Sequence, residues 1–100
     1  MTCCNTKRYK HTPRPEEMQV DLQKRLNRVI GQLRGVKVMI DDNRYCSDIL
    51  IQLSAAESAI KGIERIVLEK HLKTCVVEKI QDGDTEVIDE AMDLIKRVTK

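Results

Sequence analysis

Apolar side chains recur along residues 16–42 with the spacing of an α-helix. Separations of four and three residues alternate, which places these side chains in one stripe along a helix. Two acidic residues, Glu16 and Glu17, would occupy the first turn, where the helix dipole favours negative charge. The pattern predicts a first helix from Pro15 or Glu16 to about Asp42. Its stripe consists of Leu22, Leu26, Val29, Leu33, Val36 and Ile40.

Two further helices are predicted after this one. The second runs from about Tyr45 toward Ile80, after a turn in which Asn43 is a candidate cap for the helix that follows. The third ends near Val98, and it follows a turn in which Gly83 can adopt positive φ and Asp84 can cap the next helix. No segment has the period of a β-strand. We therefore predict an all-α chain of three helices, without the short recognition helix of a helix-turn-helix.

Composition narrows the class of protein further. The chain has no Phe or Trp and two Tyr, which suits a helical bundle and leaves single-stranded nucleic acid without stacking platforms. One hundred residues suit one domain. The domain prediction is a flexible basic tail, residues 1–15, followed by a single helical domain, residues 16–100. No apolar run approaches the length of a membrane span and no secretory signal is evident, so we expect a cytoplasmic protein without membrane contact.

Charge is unevenly distributed, although the formal net charge is only +2. The tail contains four basic residues and no acidic one, and the predicted first helix has five basic residues between Leu22 and Ile40 without an acidic residue. A surface of one sign favours binding to a polyanion such as DNA, whereas a merely solvated surface usually mixes signs. The helical residues are Lys24, Arg25, Arg28, Arg34 and Lys37.

Three residues of the predicted second helix could bind a soft metal. His71 and Cys75 are four residues apart and share a helix face. Cys46 lies 29 residues before Cys75, and a helix of that length spans roughly 43 Å, so Cys46 cannot reach the pair on its own chain. Two helices packed antiparallel would place each Cys46 beside its partner's pair. The geometry therefore predicts a homodimer with two equivalent sites.

Donor chemistry indicates Cu(I) first and Zn(II) second for such a site. Two thiolates and an imidazole suit low-coordinate Cu(I), while zinc would need a fourth ligand. The alternative is that the cysteines are small buried side chains and the histidine is structural. The tail residues Cys3, Cys4 and His11 could also bind metal, or could form an exposed, easily oxidised segment. No pocket or oxyanion loop accompanies the Cys–His pair, so we do not expect an enzyme.

The residues around this site resemble the copper-sensing operon repressor (CsoR) family. The resemblance covers about residues 18–100 and rests on RLNRVIGQLRGVKVMI (25–40), RYCSDILIQLSAAESAI (44–60) and HLKTC (71–75). The Cys, His, Cys set is that of the copper-responsive branch. Nickel and cobalt sensors carry His in place of Cys75, formaldehyde sensors lack that thiol, and persulfide sensors lack the His.

The resemblance implies an all-helical dimer that pairs into a tetramer, with Cu(I) held by Cys46 of one subunit and His71 and Cys75 of the other. Tyr45 and Glu90 match positions that surround the ligands in the family. The metal-free protein is expected to repress an operon for copper export or chaperoning, and Cu(I) is expected to release it from operator DNA. A copper chaperone is the corresponding Cu(I) donor.

For DNA, the resemblance assigns Arg25 to the start of the binding face, flanked by Lys24 and Arg28. Some members have a basic residue where this chain has Gly62, and Lys61 is adjacent. Two other functions stay open at this point. One is a thiol-based persulfide or sulfide sensor that uses Cys46 and Cys75, and the other is a cytosolic copper-buffering helical module without a DNA role.

Overall fold

The computed structural model describes residues 14–99, and these residues form helices joined by short turns. Helix α1 spans Glu16–Asp41 and α2 spans Cys46–Lys70. A π-helical turn, His71–Val76, leads directly into α3, Val77–Gln81, and α4 spans Glu86–Val98. No strand occurs within residues 14–99. The predicted all-α class is confirmed, because α2, the π turn and α3 together form the second of three helices.

The turn after α1 is closed by Asn43 in the left-handed conformation, at φ 55°. The N–H of Asn43 donates to the carbonyl of Ile40 at 3.1 Å, and the N–H of Arg44 donates to that of Met39 at 2.9 Å. These are the paired bonds of a Schellman motif, and asparagine is among the few residues that adopt this conformation readily. Because Asn43 ends α1 and lies three residues before α2, the prediction that it caps the second helix is wrong.

Tyr45 occupies the capping position of α2 instead. Its carbonyl oxygen accepts hydrogen bonds from the N–H groups of Asp48 and Ile49, at 3.0 and 3.3 Å. The first turn of α2 is therefore anchored on the residue that precedes Cys46. The Tyr45 side chain is 74% exposed.

The turn between α3 and α4 confirms the positive φ predicted for Gly83, whereas the N-cap of α4 is Thr85, one residue after the predicted Asp84. Gly83 lies at φ 88°, and its N–H donates to the Ile80 carbonyl at 3.0 Å. The Asp84 carboxylate accepts a hydrogen bond from the N–H of Glu86 at 3.1 Å. Glycine thus closes α3 where a side chain would be strained, and Asp84 satisfies a backbone donor in the first turn of α4.

Residues 15–63 form one compact unit, made of α1 and the first part of α2. The apolar stripe of α1 divides into two lines. Leu22, Val29 and Val36, seven residues apart, are buried. The other line, Leu26, Leu33 and Ile40, is 42%, 40% and 57% exposed. A single chain therefore buries one of the two apolar lines of α1 and leaves the other exposed to solvent.

Residues 64–99 form a second unit, whose core joins the π turn to α4. Val76 of the π turn clusters with Val87 and Ala91 of α4, and Leu72 packs against this cluster. Each of these two apolar residues directly follows a predicted ligand in the chain: Leu72 follows His71, and Val76 follows Cys75. The contacts that hold the π turn in place therefore come from α4. In residues 14–99 no helix is apolar over the length that crossing a membrane requires.

Replacing Gly83 and replacing Gly62 with alanine should have opposite effects on stability. A Cβ atom meets nothing within 4 Å at either position. The backbone conformation of each glycine therefore determines the effect of alanine on stability. Gly83→Ala should cost about 1–2 kcal/mol, because alanine is strained at positive φ. Gly62→Ala, inside α2, should add about 0.5–1 kcal/mol by reducing the freedom of the unfolded chain. Thermal unfolding measures both, and destabilisation by Gly62→Ala would contradict a position open to a side chain.

Candidate metal centre

His71 and Cys75 occupy the first and fifth positions of the π turn. A π-helix forms i→i+5 hydrogen bonds and has a wider turn than an α-helix, so residues four apart remain neighbours on almost the same side. Cys75 is fully buried and His71 is half-buried. The structure thus keeps the predicted pair together, on a wider helical turn than sequence reasoning assumed. Single π turns occur frequently at functional sites.

Two local contacts accompany the wider turn. The hydroxyl of Thr74 donates to the carbonyl oxygen of Lys70 at 2.6 Å, and a hydroxyl bound to the carbonyl four residues back competes with the normal helical ladder. On the exposed side, Lys73 Nζ contacts Glu69 Oε1 at 2.7 Å. The hydrogen bond from Lys73, and secondarily its positive charge, hold the pKa of Glu69 below its usual value. The spacing signals these i,i+4 contacts, but nothing in the sequence specifies the π turn.

The imidazole of His71 has an unsatisfied nitrogen. Its Nε2 atom is buried and has no hydrogen-bond partner, which costs free energy unless another group supplies the missing interaction. Thr74 Oγ1 lies 3.8 Å from the sulfur of Cys75. Imidazole nitrogen and cysteine sulfur are the donors that soft and borderline metals prefer. With Cys75 reduced to the thiolate, the pair would therefore fit a metal that binds sulfur and nitrogen and that supplies the partner missing from the imidazole.

Cys46 differs from Cys75 in position and in state. It is the first residue of α2, and it is an exposed, free thiol. Cys75 is disulfide-bonded. Within the described part of one chain, no group of three or more His, Cys, Asp or Glu side chains is placed to hold a metal. The structure therefore places two predicted ligands on one turn, and the third remains a prediction that requires a second chain.

The other predicted site residues are placed as follows. Glu90 lies on the exposed side of α4, next to the core residue Ala91. Tyr45 precedes Cys46 and is exposed. Their roles around the ligands remain predictions. The tail candidates Cys3, Cys4 and His11 lie outside the described residues.

The basic side chains of α1 are all exposed: Lys24, Arg25, Arg28, Arg34 and Lys37. Lys61 on α2 is exposed as well. Arg25 is not simply solvated, because its Nε donates to Asp21 Oδ2 at 2.9 Å. Both side chains are about half exposed, so the pair contributes less than about 1 kcal/mol to stability. Sequence reasoning overlooked Asp21, although its i,i+4 spacing from Arg25 was the available signal.

Removing the His71 imidazole should leave the metal-free protein close to its original stability. His71→Ala should change the unfolding free energy by less than about 1 kcal/mol, since it also removes an unsatisfied buried nitrogen. Val76→Ala, on the same turn, is the matched control. It should cost about 2 kcal/mol, because it removes buried methyl groups from the cluster with α4. Denaturant unfolding measures both free energies of unfolding. If His71→Ala lowered this free energy as much as Val76→Ala does, His71 would be structural.

Comparisons with known proteins agree on one family. The family described as metal-sensitive transcriptional repressor matches residues 19–97. The copper-sensing transcriptional repressor CsoR of Bacillus subtilis is 44% identical over 77 residues, which are 76% of each chain.

Two solved structures resemble the fold. One is the copper-sensing repressor CsoR with Cu(I) from Geobacillus thermodenitrificans, with a TM-score of 0.81 and 44% identity over 88% of this chain and 93% of that one. The nickel-responsive regulator InrS has a TM-score of 0.68 and 30% identity over 88% of this chain and 97% of its own. With a family match over most of its length and these relatives, the chain belongs to the metal-sensitive transcriptional repressors.

Proposed function

We propose that this protein is a Cu(I)-responsive transcriptional repressor, which binds operator DNA without metal and releases it when Cu(I) binds. The observation that carries the proposal is the π turn. It presents a buried thiol position, Cys75, and an imidazole, His71, whose buried nitrogen lacks a partner. Support also comes from membership of the repressor family and from similarity to CsoR proteins.

The choice of metal depends on the donors rather than on the fold. The nickel-responsive InrS and the Cu(I)-bound CsoR both have folds similar to this chain, so the helical architecture serves more than one metal. Two thiolates and one imidazole favour Cu(I) over Ni(II), which is better suited to nitrogen and oxygen donors. Cys46 at one end of α2, with His71 and Cys75 beyond the other end, would complete this set between two chains.

The shared site requires an antiparallel homodimer, and α1 offers an apolar surface for it. Leu26, Leu33 and Ile40 form a line of exposed apolar side chains along this helix. Contiguous exposed apolar residues usually indicate a protein interface. We propose that a second copy covers this line and that two dimers pair into a tetramer.

Ligand binding would be transmitted through the π turn. The predicted ligands of this turn directly precede two apolar residues, Leu72 and Val76. These residues pack against Val87 and Ala91 of α4. When bound, Cu(I) would link three donors from two subunits. A change in the turn on binding would shift its core contact with α4, where Glu90 lies beside Ala91. The proposed role of Tyr45 and Glu90 is to orient the ligands and to connect them to the second arrangement of the dimer.

In the metal-free arrangement, the exposed basic face of α1 would lie along the DNA. Lys24, Arg25 and Arg28 are within two turns of one another, and Arg34, Lys37 and Lys61 extend the basic surface. Contacts of this kind go mainly to phosphates, so they supply affinity that falls steeply with salt. This function would place the protein in the cytoplasm, with a copper chaperone as the Cu(I) donor.

Cu(I) and operator DNA should weaken each other's binding by the same factor. Thermodynamic linkage requires this symmetry whenever two ligands select different states of one protein. Operator binding should be followed by fluorescence anisotropy under anaerobic conditions, with Cu(I) delivered at one equivalent per subunit from a chelator. The chelator competition is then repeated with saturating DNA. Equal DNA affinity with and without Cu(I) would disprove the repressor mechanism and would favour the copper-buffering alternative.

His71→Ala separates sensing from DNA binding. This variant should bind the operator as tightly as the original protein, because it changes no basic residue, but it should not release DNA at one equivalent of Cu(I). Lys73→Ala is the matched control: Lys73 lies on the same turn, is exposed and lies outside the apolar cluster with α4. This variant retains all three donors and should release DNA with the original copper dependence. If His71→Ala still released DNA with unchanged copper dependence, the imidazole would not be a ligand.

The ion pair between Asp21 and Arg25 should lower DNA affinity. Asp21→Asn frees the guanidinium for phosphate, and the gain should be about 1.5- to 5-fold, the range of an exposed ion pair. Arg25→Ala with Arg28→Ala should weaken binding and reduce the slope of log affinity against log salt by about 2 for each subunit on the DNA.

Lys96→Ala with Arg97→Ala is the control for this series. It removes the same charge from α4 and should leave the salt slope near its original value. Equal loss of DNA affinity in the two double variants would mean that net charge, rather than the α1 face, determines binding.

A further inference from the structure

The hydroxyl of Thr74 connects the two predicted ligands of the π turn through the main chain. It donates to the carbonyl oxygen of Lys70 at 2.6 Å, and the contact is partly buried. Lys70 directly precedes His71, and Thr74 directly precedes Cys75. Reduction of Cys75 would remove neither the donor nor the acceptor of this bond. One hydrogen bond therefore ties together the two residues that lead into the ligand positions.

A bond of this kind favours a π turn at this place in the chain. In a π-helix each carbonyl accepts from the N–H five residues further on, instead of four. A threonine hydroxyl that reaches the carbonyl four residues back competes with the ordinary α-helical ladder. Lys70 is the residue that caps the π turn, His71–Val76. The hydroxyl thus acts where the main chain changes from four-residue to five-residue bonding.

The neighbouring contacts of the turn do not have this effect. The ion pair of Lys73 with Glu69, at 2.7 Å, links two exposed side chains and involves no main-chain group. The core contacts of Leu72 and Val76 with α4 hold the turn in place, but they do not define its hydrogen bonding. Among these contacts, the bond from Thr74 is the one that reaches the helical ladder.

We propose that Thr74 is a positioning residue for Cu(I) binding, whose hydroxyl holds the π turn and thereby sets the rotation between His71 and Cys75. The inference rests on the proposed function, because it treats these two residues as Cu(I) ligands. Without the hydroxyl, the turn would relax toward an α-helix, and the rotation between the imidazole and the thiolate about the helix axis would change. Loss of a group that orients metal ligands weakens metal binding by about 10- to 100-fold.

The geometry favours this role over a direct hydrogen bond from Thr74 to sulfur. Thr74 Oγ1 lies 3.8 Å from the sulfur of Cys75. A hydroxyl has one proton, and a carbonyl oxygen can only accept. The bond to the Lys70 carbonyl at 2.6 Å therefore uses that proton, and the sulfur does not receive it.

Three variants test the proposal. Thr74→Val removes the hydroxyl and keeps a side chain of similar shape, and Thr74→Ser restores a hydroxyl. Thr99→Val is the matched control, because the Thr99 hydroxyl also donates four residues back, to the Ile95 carbonyl at 2.7 Å, at the end of α4. Each full-length protein is reduced and kept anaerobic. Its Cu(I) affinity is measured by competition with a chelator, and its operator affinity is measured without metal.

Thr74→Val should bind Cu(I) about 10- to 100-fold more weakly than the original protein. It should bind the operator equally well, because it changes no basic residue. Thr74→Ser should restore the Cu(I) affinity, and Thr99→Val should leave it unchanged.

A second measurement needs no metal. NMR couplings across hydrogen bonds identify the amide that each carbonyl accepts from. In the metal-free original protein, the Lys70 carbonyl should couple to the amide of Cys75, five residues further on. In Thr74→Val it should couple to the amide of residue 74, four residues further on.

Four results would overturn the proposal. They are unchanged Cu(I) affinity in Thr74→Val, no recovery in Thr74→Ser, an equal loss in Thr99→Val, and five-residue coupling that persists in Thr74→Val. The outcome is separable from the proposed function. If the original protein binds Cu(I) and keeps its DNA, the repressor mechanism fails, whatever Thr74 contributes to Cu(I) affinity. If it releases DNA and Thr74→Val binds Cu(I) normally, only the positioning role fails.

Discussion

The packing of the π turn against α4 is the contact on which the candidate site depends. Val76 is buried with Val87 and Ala91, and Leu72 packs beside them. These two apolar residues fix the orientation of the turn. The residues directly before them, His71 and Cys75, are the predicted metal ligands. An ordinary surface helix would present the same pair without a mechanical connection. Here the turn belongs to the core, so a change in the geometry of its proposed ligands would also change how α4 packs.

The apolar pattern of the chain explains its second main property, an incomplete burial of α1. A heptad stripe has two apolar positions, and in one chain the line through Leu22, Val29 and Val36 is buried while the line through Leu26, Leu33 and Ile40 is not. Exposure of this apolar line to water is unfavourable in free energy, and burial by a second chain would remove that penalty. In this proposal α1 would supply the apolar surface for association, while α2 and the π turn would supply the metal ligands.

Much of this architecture could be predicted from the sequence, because it follows from local rules. The three helices follow from apolar spacing, Gly83 from the need for positive φ, and the hydrogen bond of Asp84 near the start of α4 from the preference of helix starts for short carboxylates. The pairing of His71 with Cys75 needs only a helical repeat. Asn43 was misassigned because asparagine suits both the start of a helix and the left-handed residue after one, and spacing alone does not choose between them.

The remaining features depend on contacts that a one-dimensional pattern does not contain. The π turn has no sequence signature, since Thr74 and its neighbours are compatible with an α-helix. The ion pair between Asp21 and Arg25 was detectable by spacing, but it lay one residue outside the basic run. The ligand set as a whole stays a prediction, because its third member belongs to another chain and the family relationship, rather than geometry, indicates the metal.

The position of Cys46 at the first residue of α2, with the other two donors beyond its last residue, has a genetic consequence. If each site takes one residue from one subunit and two from the other, a subunit lacking Cys46 and a subunit lacking His71 fail for different reasons. In a mixed dimer, both defects fall on the same site, and the other site is complete. Two alleles that are each blind to copper would then restore sensing when expressed together, whereas two alleles defective at the same residue would not.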